Sequence, residues 1–489
     1  MISRVSGMLK IVVVAAIFGT GDSMDAFLVA MAIPAAALII FGEGVYVATV
    51  KLVARHKGEN GGAPQRWAEV SSLFNLSVAG MAAFAAFYWL CAPVIVRLVA
   101  PGFTHEKLVQ AQTLARCVSP VIILVTIQHV LNGMLHANDH FAIPALKVLL
   151  SNVFVVVSIA VLHSELGIAS YAVGSVAGEL FVCLCSYLMV RRIGARYSFS
   201  WAGHSRGVRD SIRLGVPVMA GVGVLQVSNI TDRMFASGLP AGSIASLGYG
   251  MLLLTVPLSL VRTVVDVGFP SIAGIVHSRA VDRDRQLARA ISACVKILVI
   301  AVVPAALLLL LWRKPVISLL LQRGNFGAAS ASATATALLF YSLALAPMVF
   351  RYFLTRLSQS FGDSLTPLPA NIACTATNIA LNFLLIPILG HAAIALSLAL
   401  SASIGVGLLY IQLRNKIKVL RDCGAEMMGL KVLGAGVLMV AGYLAAERFS
   451  HSIVAAGCAA LMVYGAGLLA ARVVDIRRFF PWRVLAEVP

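Results

Sequence analysis

The sequence predicts an all-α polytopic membrane protein of about fourteen spans, arranged as two pseudo-symmetric six-helix lobes with two further helices at the C-terminus. Three observations predict it. Of the 489 residues, 60% are hydrophobic and only 12% charged, about half the charged share of an ordinary soluble chain. Apolar runs of helix-spanning length recur from end to end, without the period-2 alternation of a membrane barrel. Two stretches far apart in the chain repeat the same motif in the same order.

The spans read at roughly 1–18, 25–50, 68–91, 108–135, 142–163, 167–190, 211–236, 244–275, 286–312, 331–357, 367–389, 392–413, 429–446 and 452–472. The first has no cleavage pattern after it, which excludes a signal peptide. The formal charge of +18 is no footprint of nucleic acid, because the basic residues fall on alternate loops. One side carries Lys51, Arg55, Lys57 and Arg66, then Arg191, Arg192, Arg196, Arg206 and Arg209. It continues with Arg279, Arg283, Arg285 and Arg289, then Arg414, Lys416, Lys418 and Arg421, and finally Arg477, Arg478 and Arg483. The other side carries few, among them Arg97, Lys107, Arg313, Lys314, Arg323 and Arg448. The positive-inside rule then puts both termini in the cytoplasm.

The repeat defines the expected domains. "APVIVRLVAPGF" from Ala92 matches "KPVISLLLQRGNF" from Lys314, pairing Pro93 with Pro315 and Gly102 with Gly324. Each leads through an apolar run to a polar turn, "HANDHFAIPA" and "QSFGDSLTPLPA". The expected division is 1–200 for an N-terminal lobe, 201–420 for a C-terminal lobe, and 421–489 for two added helices and a cytoplasmic tail. Parallel repeats about an axis normal to the membrane are a transporter arrangement.

Ionisable residues inside spans are costly, so each needs a reason. Arg4 and Lys10 stand in the first span, Asp25 and Glu43 in the second, Glu179 in the sixth, Asp232 and Arg233 in the seventh, Arg262 and Asp266 in the eighth, Arg351 and Arg356 in the tenth. Some have plain alternatives. Arg262 and Asp266, four apart on one helical face, neutralise each other in the simplest reading. Asp232 and Arg233 read as interfacial, Arg351 and Arg356 as snorkelling, and Arg4 as a topology signal. Lys10 is flanked by apolar residues. Glu43 sits between Gly42 and Gly44, where backbone can approach closely. Pro34 and Pro257, at matching places in the two copies, read either as inherited structure or as hinges. The eight cysteines lie mostly within spans. "CLC" at Cys183 and Cys185 lacks metal spacing, so buried apolar thiols and no metal are expected.

These residues also carry a resemblance. Ser3, Arg4, Val5 and Gly7, then Phe18, Gly19, Gly21, Asp25, Ala26 and Phe27, then Glu43 and Gly44 are similar to the opening of the MurJ/MviN family of lipid II flippases. So are "APGF" (Ala100–Phe103), "FASGLPAGSIASLGYG" (Phe235–Gly250), "LLQRGNF" (Leu320–Phe326) and "SFGDSLTP" (Ser360–Pro367). The family belongs to the multidrug/oligosaccharidyl-lipid/polysaccharide exporter superfamily. The resemblance implies a flippase, not an enzyme, in the bacterial cytoplasmic membrane. It would move an undecaprenyl-diphosphate-linked saccharide by alternating access, as a monomer among membrane lipids.

Arg4, Lys10, Asp25, Glu43, Arg262 and Arg351 are the substrate-binding candidates. The cations would hold the diphosphate and the carboxylates organise them. No cofactor is implied, and coupling to an ion or to the membrane potential stays open. The chain departs from the family at three places. Lys10 replaces the usual arginine, and Leu38 and Leu252 stand where cavity arginines are expected. The cargo class therefore widens from lipid II to an exopolysaccharide precursor. The rival readings are an ion-coupled multidrug exporter and, more remotely, a membrane glycosyltransferase or polymerase. The latter lacks any H-E-x-x-H, G-x-S-x-G or P-loop pattern.

Overall fold

The computed structural model describes residues 2–58, 63–195, 197–200, 206–278, 281–363, 365–416, 425–449 and 453–471. Among these, every regular element is an α-helix. In chain order they are α1 (Ile2–Phe18), α2 (Asp22–Ala30), α3 (Ala32–Gly58), α4 (Ala63–Leu90), α5 (Ala92–Val99), α6 (His105–Val118), α7 (Pro120–Ala137), α8 (Ala142–Leu166) and α9 (Ala169–Arg192). There follow α10 (Arg206–Ser237), α11 (Ser243–His277), α12 (Arg283–Leu320), α13 (Ala328–Ser360), α14 (Pro367–Leu389), α15 (Ala392–Lys416), α16 (Ala425–Phe449) and α17 (Ile453–Ala470). Ten helical stretches among the described residues are long and apolar enough to cross a membrane, and three shorter apolar helices accompany them. With α10 these correspond one for one to the fourteen predicted segments.

Two predicted spans are broken. The second divides at Met31 into α2 and α3, and the fourth divides at Ser119 into α6 and α7. Proline explains both, since it removes a donor and leaves the carbonyl four residues back without a partner. For Pro34 that carbonyl is Ala30, and the Tyr88 hydroxyl donates to it at 2.6 Å. For Pro120 it is Arg116, and the Ser119 hydroxyl donates to it at 2.9 Å. The short α5 was not expected. It is the first copy of the repeated motif, split from α4 at Cys91, whereas the second copy runs on through Pro315 as the end of α12.

The chain forms two compact units. One comprises Met1–Gly248 with Leu320–Ala331, the other Tyr249–Leu319 with Ser332–Pro489. In the first, α3, α4, α7 and α9 enclose a core of Leu52, Val53, Leu73, Val130 and Leu135, all fully buried or nearly so. In the second, α16 and α17 pack through Met439, Tyr443 and Tyr464 against α12, where the Tyr464 hydroxyl donates to the Ile300 carbonyl at 3.1 Å. Helices α8 and α14 end alike, at Gly167 (φ 53°, ψ −132°) and Gly390 (φ 57°, ψ −137°). Those glycines stand equally far from Pro144 and Pro367, the prolines that the internal repeat pairs. Of the cysteines, Cys183 and Cys374 are buried as expected, but Cys117 and Cys458 are exposed.

Candidate functional site

In the first unit, charged and polar groups gather at the end of α1. Asp25 is 2% exposed. Its Oδ2 accepts from Lys107 Nζ and from the Gly242 amide, both at 2.8 Å, and its Oδ1 accepts from the Ala245 amide at 2.8 Å. Gly242 immediately precedes α11 and Ala245 lies in its first turn, where amides lack partners and the helix dipole favours an anion. Asp25 therefore caps a helix more than two hundred residues away. Lys107 also reaches Asp22 at 2.7 Å and lies 4.3 Å over the Phe103 ring.

Backbone closes in around this network. Gly242 has φ +83°, and a Cβ there would run into the Thr20 carbonyl. Gly324, at φ +54°, would collide with the Ala16 carbonyl. The loop after Gly324 seals the end of α1, with the Asn325 amide on Ala16 O at 2.8 Å and Asn325 Nδ2 on Ile17 O at 2.6 Å. Gly102, the repeat partner of Gly324, meets the other copy's first helix in a related way. Its amide donates to Ser237 Oγ at 3.1 Å, and its Cα side faces Gly238. Arg233, read from sequence as interfacial, donates to the Leu28 carbonyl at 2.6 Å.

The expected cradle residues stand apart from that network. Lys10 is half-buried on α1, with no hydrogen bond or ion pair among the described residues. The side chains of Arg4 and Glu43 lie outside the described residues. The glycines beside Glu43 are filled by side chains, not by backbone. A Cβ at Gly42 would come within 2.6 Å of the His129 ring, and one at Gly44 would strike Met219. Asp25 thus contacts Lys107 and two amides, and the described structure does not join it to Lys10.

In the second unit, Arg262, Asp266, Tyr352 and Arg356 form one cluster. Tyr352 donates to Asp266 Oδ1 at 2.5 Å and accepts from Arg356 Nε and Nη2 at 3.1 and 3.0 Å. Arg356 Nε lies 3.9 Å from Asp266 Oδ1. Arg262 stacks over the Tyr352 ring at 4.9 Å, and its buried Nε has no partner among the described residues. Asp266 therefore pairs with Arg356 and not, as the four-residue spacing suggested, with Arg262. Arg351 directs Nη1 towards Cys374 Sγ at 3.8 Å. Pro257 lies within the unbroken α11, whereas Pro34 lies three residues past the break at Met31. No group of three or more His, Cys, Asp or Glu suited to a metal occurs among the described residues.

Sequence reasoning missed Lys107, Tyr352 and the α11 amides. From sequence, Lys107 reads as a loop charge. Tyr352 has a usable signal: an aromatic hydroxyl placed between two arginines of one apolar helix.

The chain matches the family model described as lipid II flippase MurJ over residues 14–465. A probable lipid II flippase MurJ of Buchnera aphidicola subsp. Baizongia pistaciae is 24% identical over 445 residues, covering 90% of this chain and 86% of that one. The lipid II flippase MurJ of Burkholderia cenocepacia is 25% identical over 431 residues, covering 85% and 82%. Among solved structures, a lipid II flippase MurJ in an inward closed conformation superposes with a TM-score of 0.81 at 21% identity, over 96% of this chain and 97% of that one. An inward-facing multidrug resistance transporter of the MATE family reaches 0.70 at 14% identity, over 86% and 96%, so the fold is shared with that transporter. A family match across nearly the whole chain, with ten candidate spans and shorter apolar helices among the described residues, makes this multi-pass membrane protein a member of the lipid II flippase MurJ family.

Proposed function

We propose that this protein moves a polyprenyl-diphosphate-linked saccharide across the bacterial cytoplasmic membrane by alternating access. Both termini would lie in the cytoplasm, and the two repeated bundles would rock about the cargo. The observation that carries the reading, beyond family membership, is Lys10. It is a half-buried ammonium on an apolar helix with no hydrogen bond or ion pair among the described residues. A cation left unsatisfied there is expensive unless an anion visits it. A diphosphate supplies charge-assisted hydrogen bonds to such a cation. Lys10 need not reach the prenyl chain, which stays in lipid. Outward movement of an anion follows an inside-negative potential, worth about 2.3 kcal/mol per charge per 100 mV. The loss of two arginines, at Leu38 and Leu252, supports a cargo class broader than lipid II.

The test is binding of a purified polyprenyl-diphosphate saccharide, with the matched monophosphate lipid as control. Lys10→Arg should keep the affinity, since charge is retained. Lys10→Ala should weaken it by about 1.5–3 kcal/mol, the range for a hydrogen bond to a charged group, or roughly ten- to a hundredfold. Equal affinity for the two lipids, unchanged in Lys10→Ala, would refute the diphosphate reading and favour a multidrug exporter.

A further inference from the structure

The internal repeat holds residue by residue through its second half. The turns that end α7 and α13 carry the same backbone bonds. Asn138 N to Leu135 O matches Phe361 N to Ser358 O, and Asp139 N to His136 O matches Gly362 N to Gln359 O. His140 N to Leu135 O matches Asp363 N to Ser358 O. The turns before α9 and α15 agree as well, with Gly167 N to His163 O matching Gly390 N to Ile386 O. The separation in sequence is the same for every pair, and the helices between are unbroken. Gln128 of α7 therefore corresponds to Arg351 of α13, Ser151 of α8 to Cys374 of α14, and Glu179 of α9 to Ala402 of α15.

In the first unit these positions form a closed cluster. Gln128 is 0% exposed. Its Nε2 donates to Glu179 Oε2 at 2.5 Å and to the Glu179 carbonyl at 2.9 Å. Ser151 Oγ donates to Glu179 Oε1 at 2.9 Å. A carboxylate thus sits among neutral donors. In the second unit the same positions meet again. Arg351 Nη1 lies 3.8 Å from Cys374 Sγ, and both side chains flank Gly405, one helical turn past Ala402. The charge is reversed: a guanidinium replaces the amide, and a buried methyl group replaces the carboxylate.

Among the described residues of the second unit, no carboxylate contacts that guanidinium. Asp266 is bonded to Tyr352, with Arg356 beside it. Asp363 accepts from the Leu365 and Thr366 amides in the turn before α14. A second cation adds to the charge. Arg262 is half-buried, its Nε is buried without a partner, and it lies within electrostatic reach of Arg351. Arg351, also half-buried, stands nine residues before the end of α13, a candidate span, so it is about 14 Å from that end. Cations held at such depth are costly unless an anion is near.

We propose that the second unit binds a small monovalent anion of the chloride class at Arg351, beside Cys374, where it takes the charge role that the Glu179 carboxylate has in the first unit. Two considerations set the class. The cost of dehydrating an ion rises with the square of its charge, so a singly charged anion enters a bundle of apolar helices more readily than a phosphate or sulfate dianion. The donors are guanidinium N–H groups and a thiol S–H, which suit a spherical halide as well as an oxyanion. Arg351 is then a structural charge of the second unit rather than a contact for the cargo, and the site does not depend on the flippase reading.

The experiment uses the full-length protein in lipid nanodiscs, with gluconate replacing chloride at constant sodium. Labelled chloride should bind saturably, yield to bromide and nitrate, and yield poorly to sulfate. Thermal unfolding should rise by about 1–2 °C at chloride tenfold above its dissociation constant. Arg351→Gln installs the first copy's residue and should weaken chloride binding about ten- to a hundredfold, with loss of the thermal shift. Arg351→Lys should bind with intermediate affinity, and Lys10→Ala should bind as the wild type does. Ala402→Glu restores the first copy's carboxylate. It should abolish chloride binding and unfold in gluconate at no lower a temperature than the wild type in chloride; if it does not fold, the two Arg351 variants decide. No saturable binding in the wild type, binding unchanged in Arg351→Gln, or sulfate competing as well as bromide overturns the site. Undecaprenyl diphosphate is added last, and the Arg351-dependent chloride should stay bound. Its displacement would return Arg351 to the cargo and overturn the structural role.

Discussion

Asp25 and Asp266 both interrupt apolar helices, yet their surroundings are opposite. Asp25 is 2% exposed and takes one ammonium and two backbone amides. Asp266 has a side chain 51% exposed and takes one phenol, with the Arg356 guanidinium 3.9 Å away. A buried carboxylate must be fully paired, because the interior does not replace its hydration. An exposed one retains water and stays free to change partners. The difference separates a carboxylate that fixes backbone from one that can rearrange, although both look alike as charges inside predicted spans.

The sharpest way to break that comparison is Asp25→Ala. It strands Lys107 from its buried partner and leaves two amides of α11 uncapped. Removing one partner of a buried pair costs about 3–5 kcal/mol. The purified variant should unfold at a clearly lower temperature, and its membrane abundance should fall. Normal stability with lost transport would instead assign Asp25 to the cargo.

Lys107→Met should cost less. Asp25 keeps its two amide donors, and the exposed Asp22 needs no replacement for the ion pair it loses. A loss of about 1–3 kcal/mol is expected, as for hydrogen bonds to a charged group. In the Asp25→Ala background the same change should cost much less than it does alone, since the two share one interaction. Additive losses in thermal unfolding would show that Lys107 stabilises the unit by another route, such as its contact with Phe103.

The helices were legible because each is a long apolar run, and Pro144 and Pro367 mark their starts whatever the tertiary context. The breaks at Met31 and Ser119 were not, because a proline in a span reads equally as a bend or an end. Which occurs depends on a distant donor such as Tyr88, 58 residues from the carbonyl it satisfies. The site was legible only as residue types. Asp25 stood out as a carboxylate in an apolar run, but its amide partners lie 217 and 220 residues away, and backbone amides leave no mark in sequence. Glu179 stood out too, while Gln128 did not. A neutral amide in an apolar run carries no charge signal, even when it donates to a carboxylate on a neighbouring helix.

The smallest effect belongs to the exposed cluster, and Tyr352→Phe tests it. The hydroxyl donates to Asp266 and accepts from two nitrogens of Arg356, so the change deletes the atom joining carboxylate to guanidinium. The ring remains, and with it the stacking of Arg262 at 4.9 Å. Both stranded groups stay largely open, at 51% and 41% side-chain exposure, so the stability loss should be under about 1 kcal/mol, as for surface ion pairs. If the cluster is held loosely so that its arginines can turn to an anion, Tyr352→Phe should leave thermal unfolding nearly unchanged and alter diphosphate affinity measurably. A drop in stability comparable to that of Lys107→Met would mean that Asp266 is as much a structural fixture as Asp25, and the contrast between the two aspartates would fail.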